Sequence, residues 1–306
     1  MIKRTLYFGN PAYLSTHLEQ LEIKIPDTAE MKSVPIEDIG VLILDHQQIT
    51  ITQAVMAKLL ANNTAVITCD NTHHPVGLLL NLDGNTLQSR IFQAQIDASE
   101  PLKKQLWQQT VVAKIENQAA ILGMQAHSGS LFNAPDKSLL NMSKDVKSGD
   151  SENTEAKAAG YYWKNLFPSF LDFTRDRYGM PPNNLLNYGY AILRAVVARS
   201  LIGSGLLPTL GIHHRNQYNA YCLADDIMEP YRPYVDKVVC EIVDMNGQYL
   251  EITPNMKKQL LAIPAMDVTI DGQRSPLMNA VQRTAASLAK CYEGKIRKVL
   301  YPEIIS

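Results

Sequence analysis

Two histidines, three carboxylates and two arginines fall within GIHHRNQYNAYCLADDIMEPYRP, from Gly211 to Pro233, a density of metal-capable and acid–base groups matched nowhere else in the 306 residues. The spacing predicts a loop running into a helix. Residues three or four apart share a helix face, so Glu229 projects with Asp226 or with Asp225. Two carboxylates on one face repel unless a cation sits between them. Hard oxygen ligands suit Mg2+ or Mn2+, and an imidazole from His213 or His214 tilts the choice toward Mn2+ or Zn2+. The bland alternative is a solvated acidic helix face beside a histidine pair in a turn.

Composition bounds what such a site could serve. The length suits one large or two modest domains, and 46% hydrophobic with 19% charged residues is an ordinary globular balance. A formal net charge of −1 supplies no overall field to draw in a polyanion, so any DNA site must be a local patch. Cys69, Cys222, Cys240 and Cys291 form no CxxC pair and read as reduced, mostly buried residues. The start, MIKRTLYFGN, lacks the apolar core of a signal peptide, and no apolar run reads as a membrane span. The expectation is a soluble cytoplasmic protein.

The elements that must position the site change character along the chain. IKRTLYF, LEIKI, VLILD, AVITCD and VGLLL read as strands bounded by Pro, Gly, Asn and Asp, with one helix in ITQAVMAKLLANN capped by Thr50 or Thr52. After the DGN turn at 83–85 the apolar period becomes helical: LQSRIFQAQIDAS, a long helix started by Pro101, the strongly apolar NNLLNYGYAILRAVVARSLIGSG and SPLMNAVQRTAASLAKCYEG. The fold class expected is α+β and multidomain, with a small N-terminal β-sheet domain carrying one helix (1–84) and a larger all-α C-terminal domain (85–306). The polar segment from Asn141 to Asn153 reads as a mobile loop. It leads into a helix with Thr154 as candidate cap and Glu155 in the first turn, where the helix dipole favours a carboxylate.

TEAKAAGYYW, NNLLNYGYAILRAVVARSL, GIHHRNQYN and LADDIMEPYRP, in this order and spacing, resemble the motifs of the CRISPR-associated adaptation integrases, metal-dependent DNA nucleases that insert new spacers. VPIEDIGVLILDHQQITIT followed by AVITCDNTHHPVGLLLNL is similar to the version that accompanies single-protein (type II) effectors, so the resemblance covers nearly the whole chain. It implies a metal site of Glu155, His214 and Glu229, with Asp226 as an auxiliary acid and His213 off the ligand position. Ala156 stands where the family usually has glycine, and Gly160 where a larger polar residue is usual. Neither change removes a ligand.

The implied reaction joins 3′-hydroxyl ends of a prespacer duplex to the CRISPR repeat by transesterification, using Mg2+ or Mn2+; with water as nucleophile the same centre nicks DNA. The bond made replaces the bond broken, so no nucleotide cofactor is needed, consistent with the lack of a GxxxxGK[ST] loop. The implied partners are double-stranded DNA, a second copy joined through the N-terminal domains, a small ferredoxin-like adaptation subunit, and the effector nuclease as a further candidate. Arg175, Arg177 and especially Arg215, with His213, are the expected phosphate contacts. Of Tyr161, Tyr162 and Trp163, at least two should pack in the core. Two rival classes remain in view: a metal-dependent phosphohydrolase acting on small nucleotides, and a non-catalytic DNA-binding assembly protein.

Overall fold

The computed structural model describes residues 3–305 except 27, 29, 127–134, 168, 169, 171, 172, 248 and 250. Strands come first: β1 (Arg4–Phe8), β2 (Ala12–His17), β3 (Gln20–Lys24), β4 (Met31–Pro35), β5 (Ile39–Leu44), β6 (Ile49–Ile51), β7 (Ala65–Cys69) and β8 (Pro75–Leu79), with helix α1 (Gln53–Ala61) between β6 and β7. All five runs read as strands are strands. Thr52 caps α1, its side chain accepting from the Val55 N–H.

One sheet has the order β1-β5-β7-β8, with the first three strands parallel and β8 antiparallel; the other has the order β4-β3-β2-β6. Side chains alternate across a strand, and β5 and β7 use both faces. Val41, Ile43, Ala65 and Ile67 pack into the helical core, whereas Leu42 and Val66 pack with Leu14, Leu21, Val55 and Leu59 in a second cluster. The central sheet is thus covered on both sides, which explains its near-continuous apolar runs.

The remainder is mostly helical: α2 (Gln88–Ile96), α3 (Glu100–Ala126), α4 (Pro135–Lys144), α5 (Thr154–Leu166), α6 (Asn183–Gly203), α7 (Cys222–Met228), α8 (Arg232–Asn246), α9 (Pro254–Leu261) and α10 (Leu277–Tyr292). A small sheet supplements this part, order β10-β9-β11, from β9 (Asp267–Ile270), β10 (Gln273–Pro276) and β11 (Pro302–Glu303). The helical pattern gave no hint of these strands, each four residues or shorter. The polar segment from Asn141 to Asn153 is also more ordered than expected. It finishes α4, buries Val146 and forms a 3-10 turn at Ser148–Asp150.

Helix α6 alone among the described residues is long and apolar enough to cross a membrane, contrary to the expectation that no run would be. With 78% of its apolar window buried inside the protein, it is the core helix. Two polar joints tie the helices to the first strands. Lys257 of α9 reaches buried Asp45 at 2.9 Å, and Arg199 of α6 donates to the Asn63 carbonyl. On α3, the Asn117 amide nitrogen donates to the carbonyls of Pro230 (2.8 Å) and Pro302 (3.0 Å), and its oxygen accepts from the Ile304 N–H at 2.9 Å. All four cysteines are free, and three are buried.

Two helix glycines differ in what they allow. A Cβ on Gly189 of α6 would meet Val235 Cγ1 at 2.5 Å, whereas one on Gly160 of α5 meets nothing within 4 Å. Gly160→Ala should therefore stabilise the protein by about 1 kcal/mol through helix propensity alone. Gly189→Ala should destabilise it by roughly 1–3 kcal/mol through overpacking. Denaturant melts of the two variants check the pair.

Candidate metal centre

Glu155 stands in the first turn of α5, and the cap of that helix is not Thr154. The Asp150 carboxylate accepts from the N–H groups of Thr154 (2.7 Å) and Glu155 (3.0 Å), doing from the preceding turn what an N-cap side chain does. Thr154 is instead a buried helical residue. Glu229 follows α7 directly and is buried. The two carboxylates converge on one ammonium: Lys114 of α3 donates to Glu155 Oε1 and lies 2.5 Å from Glu229 Oε2. Arg232, opening α8, donates from Nε to Glu229 Oε1 at 2.8 Å.

Ala159, Trp163, Arg175, Tyr190 and Asp236 complete a cleft of about 200 Å3 around these groups. Burial opposes ionisation of Glu229, but Arg232 and Lys114 overcome it and hold the carboxyl down at about 2. Burial likewise works against the Lys114 ammonium, yet Glu229 and Glu155 raise its pKa overall. Asp236, at the cleft floor, accepts from the hydroxyls of Tyr162 (3.0 Å) and Tyr190. Its burial outweighs those two donors and pushes it up to about 7.

His214 is placed by a different acid. Asp226 is fully buried on α7. Its Oδ2 accepts the N–H groups of Ile212 (2.6 Å) and His213 (2.9 Å), and its Oδ1 takes the His214 N–H (3.3 Å) and His214 Nδ1 (2.5 Å). A carboxylate only accepts, so Nδ1 carries a proton, and in the neutral ring Nε2 keeps its lone pair, the usual arrangement behind a metal-binding imidazole. That same bond to Asp226 is the leading reason the His214 pKa is raised. The turn needs Gly211, because a Cβ there would lie 2.3 Å from the His214 carbonyl oxygen and 2.9 Å from Asp226 Oδ2.

The structure brings Glu155 and Glu229 together and joins His214 to Asp226. Among the described residues no three His, Cys, Asp or Glu side chains stand close enough to hold an ion together. The donor set still fits one. Glu229 Oε2 is buried and has no aligned hydrogen-bond donor, because the Lys114 ammonium is close in distance but off the bonding direction. Glu155 and Glu229 offer hard oxygens, and the Glu229 charge is among the causes that raise the His214 pKa, after the hydrogen bond to Asp226.

Other expected residues are accounted for. Asp225 is bound by Arg194 Nε and Asn219 Nδ2, each at 2.7 Å, so it serves the turn. Arg215 forks onto Glu100 at 2.8 and 2.9 Å on the surface, and His213 stacks on Trp107 with centroids 4.3 Å apart. Arg175 lines the cleft, held by Asn183 and Asn187, while Arg177 is exposed beside Tyr178. Tyr162 is buried and Trp163 packs against Phe167 and Phe173, as expected of core aromatics.

Lys114 and Asp236 were not singled out by the sequence. The signal for Lys114 was present: on α3 it falls on the buried stripe with Val111, Ile115 and Gln118, a place where a lone lysine needs a buried acid.

Asp236 gives a pH dependence with a definite sign. Its folded pKa, about 7, lies above the ordinary 3.8, so its contribution is most favourable below 3.8 and is lost as pH rises through about 7. In metal-free buffer, Asp236→Asn should flatten the fall in unfolding free energy between about pH 4 and pH 8. An unchanged slope in denaturant melts would rule this out. Gly211→Ala should lower the melting temperature and weaken metal binding together, read by a thermal scan with and without Mn2+.

Comparison with known proteins identifies the family. The family model described as CRISPR associated protein Cas1 matches residues 6–252. CRISPR-associated endonuclease Cas1 of Neisseria meningitidis serogroup C (strain 8013) is 36% identical over 306 residues, spanning 100% of this chain and 97% of that protein. In fold, the chain resembles a casposase bound to integration product, with a TM-score of 0.79 at 21% identity, over 98% of this chain and 92% of that one. It also resembles a chain of a Cas6-RT-Cas1–Cas2 complex, with a TM-score of 0.73 at 19% identity, over 97% of this chain and 35% of that one. With a family match over most of its length and a relative of this identity along all of it, the chain belongs to the CRISPR-associated Cas1 family.

Proposed function

We propose that the protein is a metal-dependent DNA endonuclease and integrase of CRISPR adaptation, which joins the 3′-hydroxyl ends of a prespacer duplex to a CRISPR repeat by transesterification. The observation that carries this reading is the convergence of half-buried Glu155 and buried Glu229 on Lys114 in a member of the Cas1 family. Glu155, Glu229 and His214 would hold the ion, Mg2+ or Mn2+. A divalent ion bound there would neutralise charge at the phosphate and activate water or a DNA 3′-hydroxyl.

The chain's own groups supply the rest. Asp226 fixes the His214 tautomer and ring, and so acts as a positioning residue for the imidazole. Arg232 keeps Glu229 ionised. Arg175, facing the cleft with amide partners only, is the cation nearest to hand for a phosphate. Arg215 joins it on the surface: its pair with Glu100 is exposed and worth about 0–1 kcal/mol, so a phosphate can take its place. Arg177 and His213 extend the same contact.

Residues 1–84 form a domain through which two copies pair, and 85–306 form the catalytic domain. The dimer works on double-stranded DNA with a small ferredoxin-like adaptation subunit, and the effector nuclease is a further partner. The chain acts in the cytoplasm. Incubating the protein, with and without the small subunit, with a short duplex and a repeat-bearing supercoiled plasmid in Mn2+ or Mg2+ should give joined and nicked products. His214→Ala, Glu155→Gln and Glu229→Gln should each lower both by more than about a hundredfold. Joining that survives these changes, or hydrolysis of free nucleotides without action on DNA, would count against this reading.

A further inference from the structure

The cleft contains a cation of its own. Lys114 Nζ bridges Glu155 and Glu229, with only 8% of the side chain exposed and Val111 and Ile115 fully buried along the same helix stripe. Arg232 holds the other oxygen of Glu229. Two carboxylates face one ammonium and one guanidinium, so these four groups carry no net charge. A neutral cluster attracts a divalent ion weakly, and the ammonium fills the interval between the oxygens that would bind it.

Taking Glu155 and Glu229 as ligands, as in the reading above, we propose that Lys114 is a resident counter-ion that couples metal loading to DNA binding. It holds the carboxylates together until a phosphate enters the cleft, then turns its ammonium onto a phosphate oxygen as the metal ion takes its place. No proton is lost in the exchange. A flexible four-carbon stem with three donors can make this swing with the helix fixed. Arg175 waits at the same cleft without a carboxylate partner among its hydrogen bonds. Binding free energies are reciprocal, so DNA tightens the metal by the factor with which the metal tightens DNA.

The test is a Mn2+ titration followed by the electron paramagnetic resonance of the free ion, on wild type, Lys114→Met and Lys114→Gln. Each is measured with and without a short DNA duplex, and its fold is checked by circular dichroism. In the wild type the duplex should tighten Mn2+ by about five- to 150-fold. Without DNA, the variants should bind Mn2+ at least about tenfold more tightly than wild type, because one opposing charge is gone. Their duplex effect should fall below about threefold. If Lys114→Met does not fold without metal, Lys114→Gln carries the comparison, and Mn2+ should raise its melting temperature more than that of the wild type. Unchanged DNA-free affinity in the variants, or an undiminished duplex effect, overturns the proposal. Glu155→Gln separates the two claims: Mn2+ binding that persists there removes the metal centre itself, whereas loss of binding leaves the centre standing even if Lys114 proves inert.

Discussion

Carboxylates brought within reach of one another in a partly buried cleft must be neutralised, and the helices around that cleft meet the requirement. Three segments deliver four charges to one cleft: α5 brings Glu155, α3 brings Lys114, and the junction of α7 with α8 brings Glu229 and Arg232. Removing one member of such a buried set leaves a stranded charge at a cost of roughly 3–5 kcal/mol, so the packing of these helices and the ionisation of the cleft are one problem. Asp236 beneath them is handled differently. Two tyrosine hydroxyls feed it, yet burial still raises its pKa.

His214 is placed through backbone. Asp226 collects three successive N–H groups and one imidazole nitrogen, so the loop from Ile212 to His214 is wrapped around a single carboxylate. Of the two acids one turn apart on α7 and its extension, Asp226 turns inward to the loop and Glu229 outward to the cleft. A helical DxxE pair looks symmetric in a sequence. Here its members do different work.

Much of this was legible beforehand, for reasons that can be named. β5 and β7 are apolar on both faces because both faces are covered, and α6 is apolar nearly all round because it is the core. Those patterns survive in one dimension. The small sheet of β9, β10 and β11 does not, because strands of two to four residues hold too few alternations to register. Asp150 escaped notice as a cap because it acts from four and five residues upstream, outside the usual capping spacing. Glu155, His214 and Glu229 were named through family resemblance. The counter-ion Lys114 was not, since a lone lysine among apolar residues of a helix reads as a surface residue until it is seen to lie on the helix's buried stripe. Arg215, whose place beside His214 suggested a DNA contact, has Glu100 as a surface partner, a pairing its sequence position did not show.

Asn117, one helical turn beyond Lys114, ties the carbonyl of Pro230, the residue after Glu229, to strand β11. Its two carbonyl contacts span 113 and 185 residues, and Lys114 reaches Glu155 across 41. Contacts of such long separation must first meet the entropy of closing large loops, so they form after the local helices and hairpins. A partly folded chain therefore carries every acid of the centre without the centre. The cleft itself closes late in folding, with the long-range contacts that also set the final strand in place.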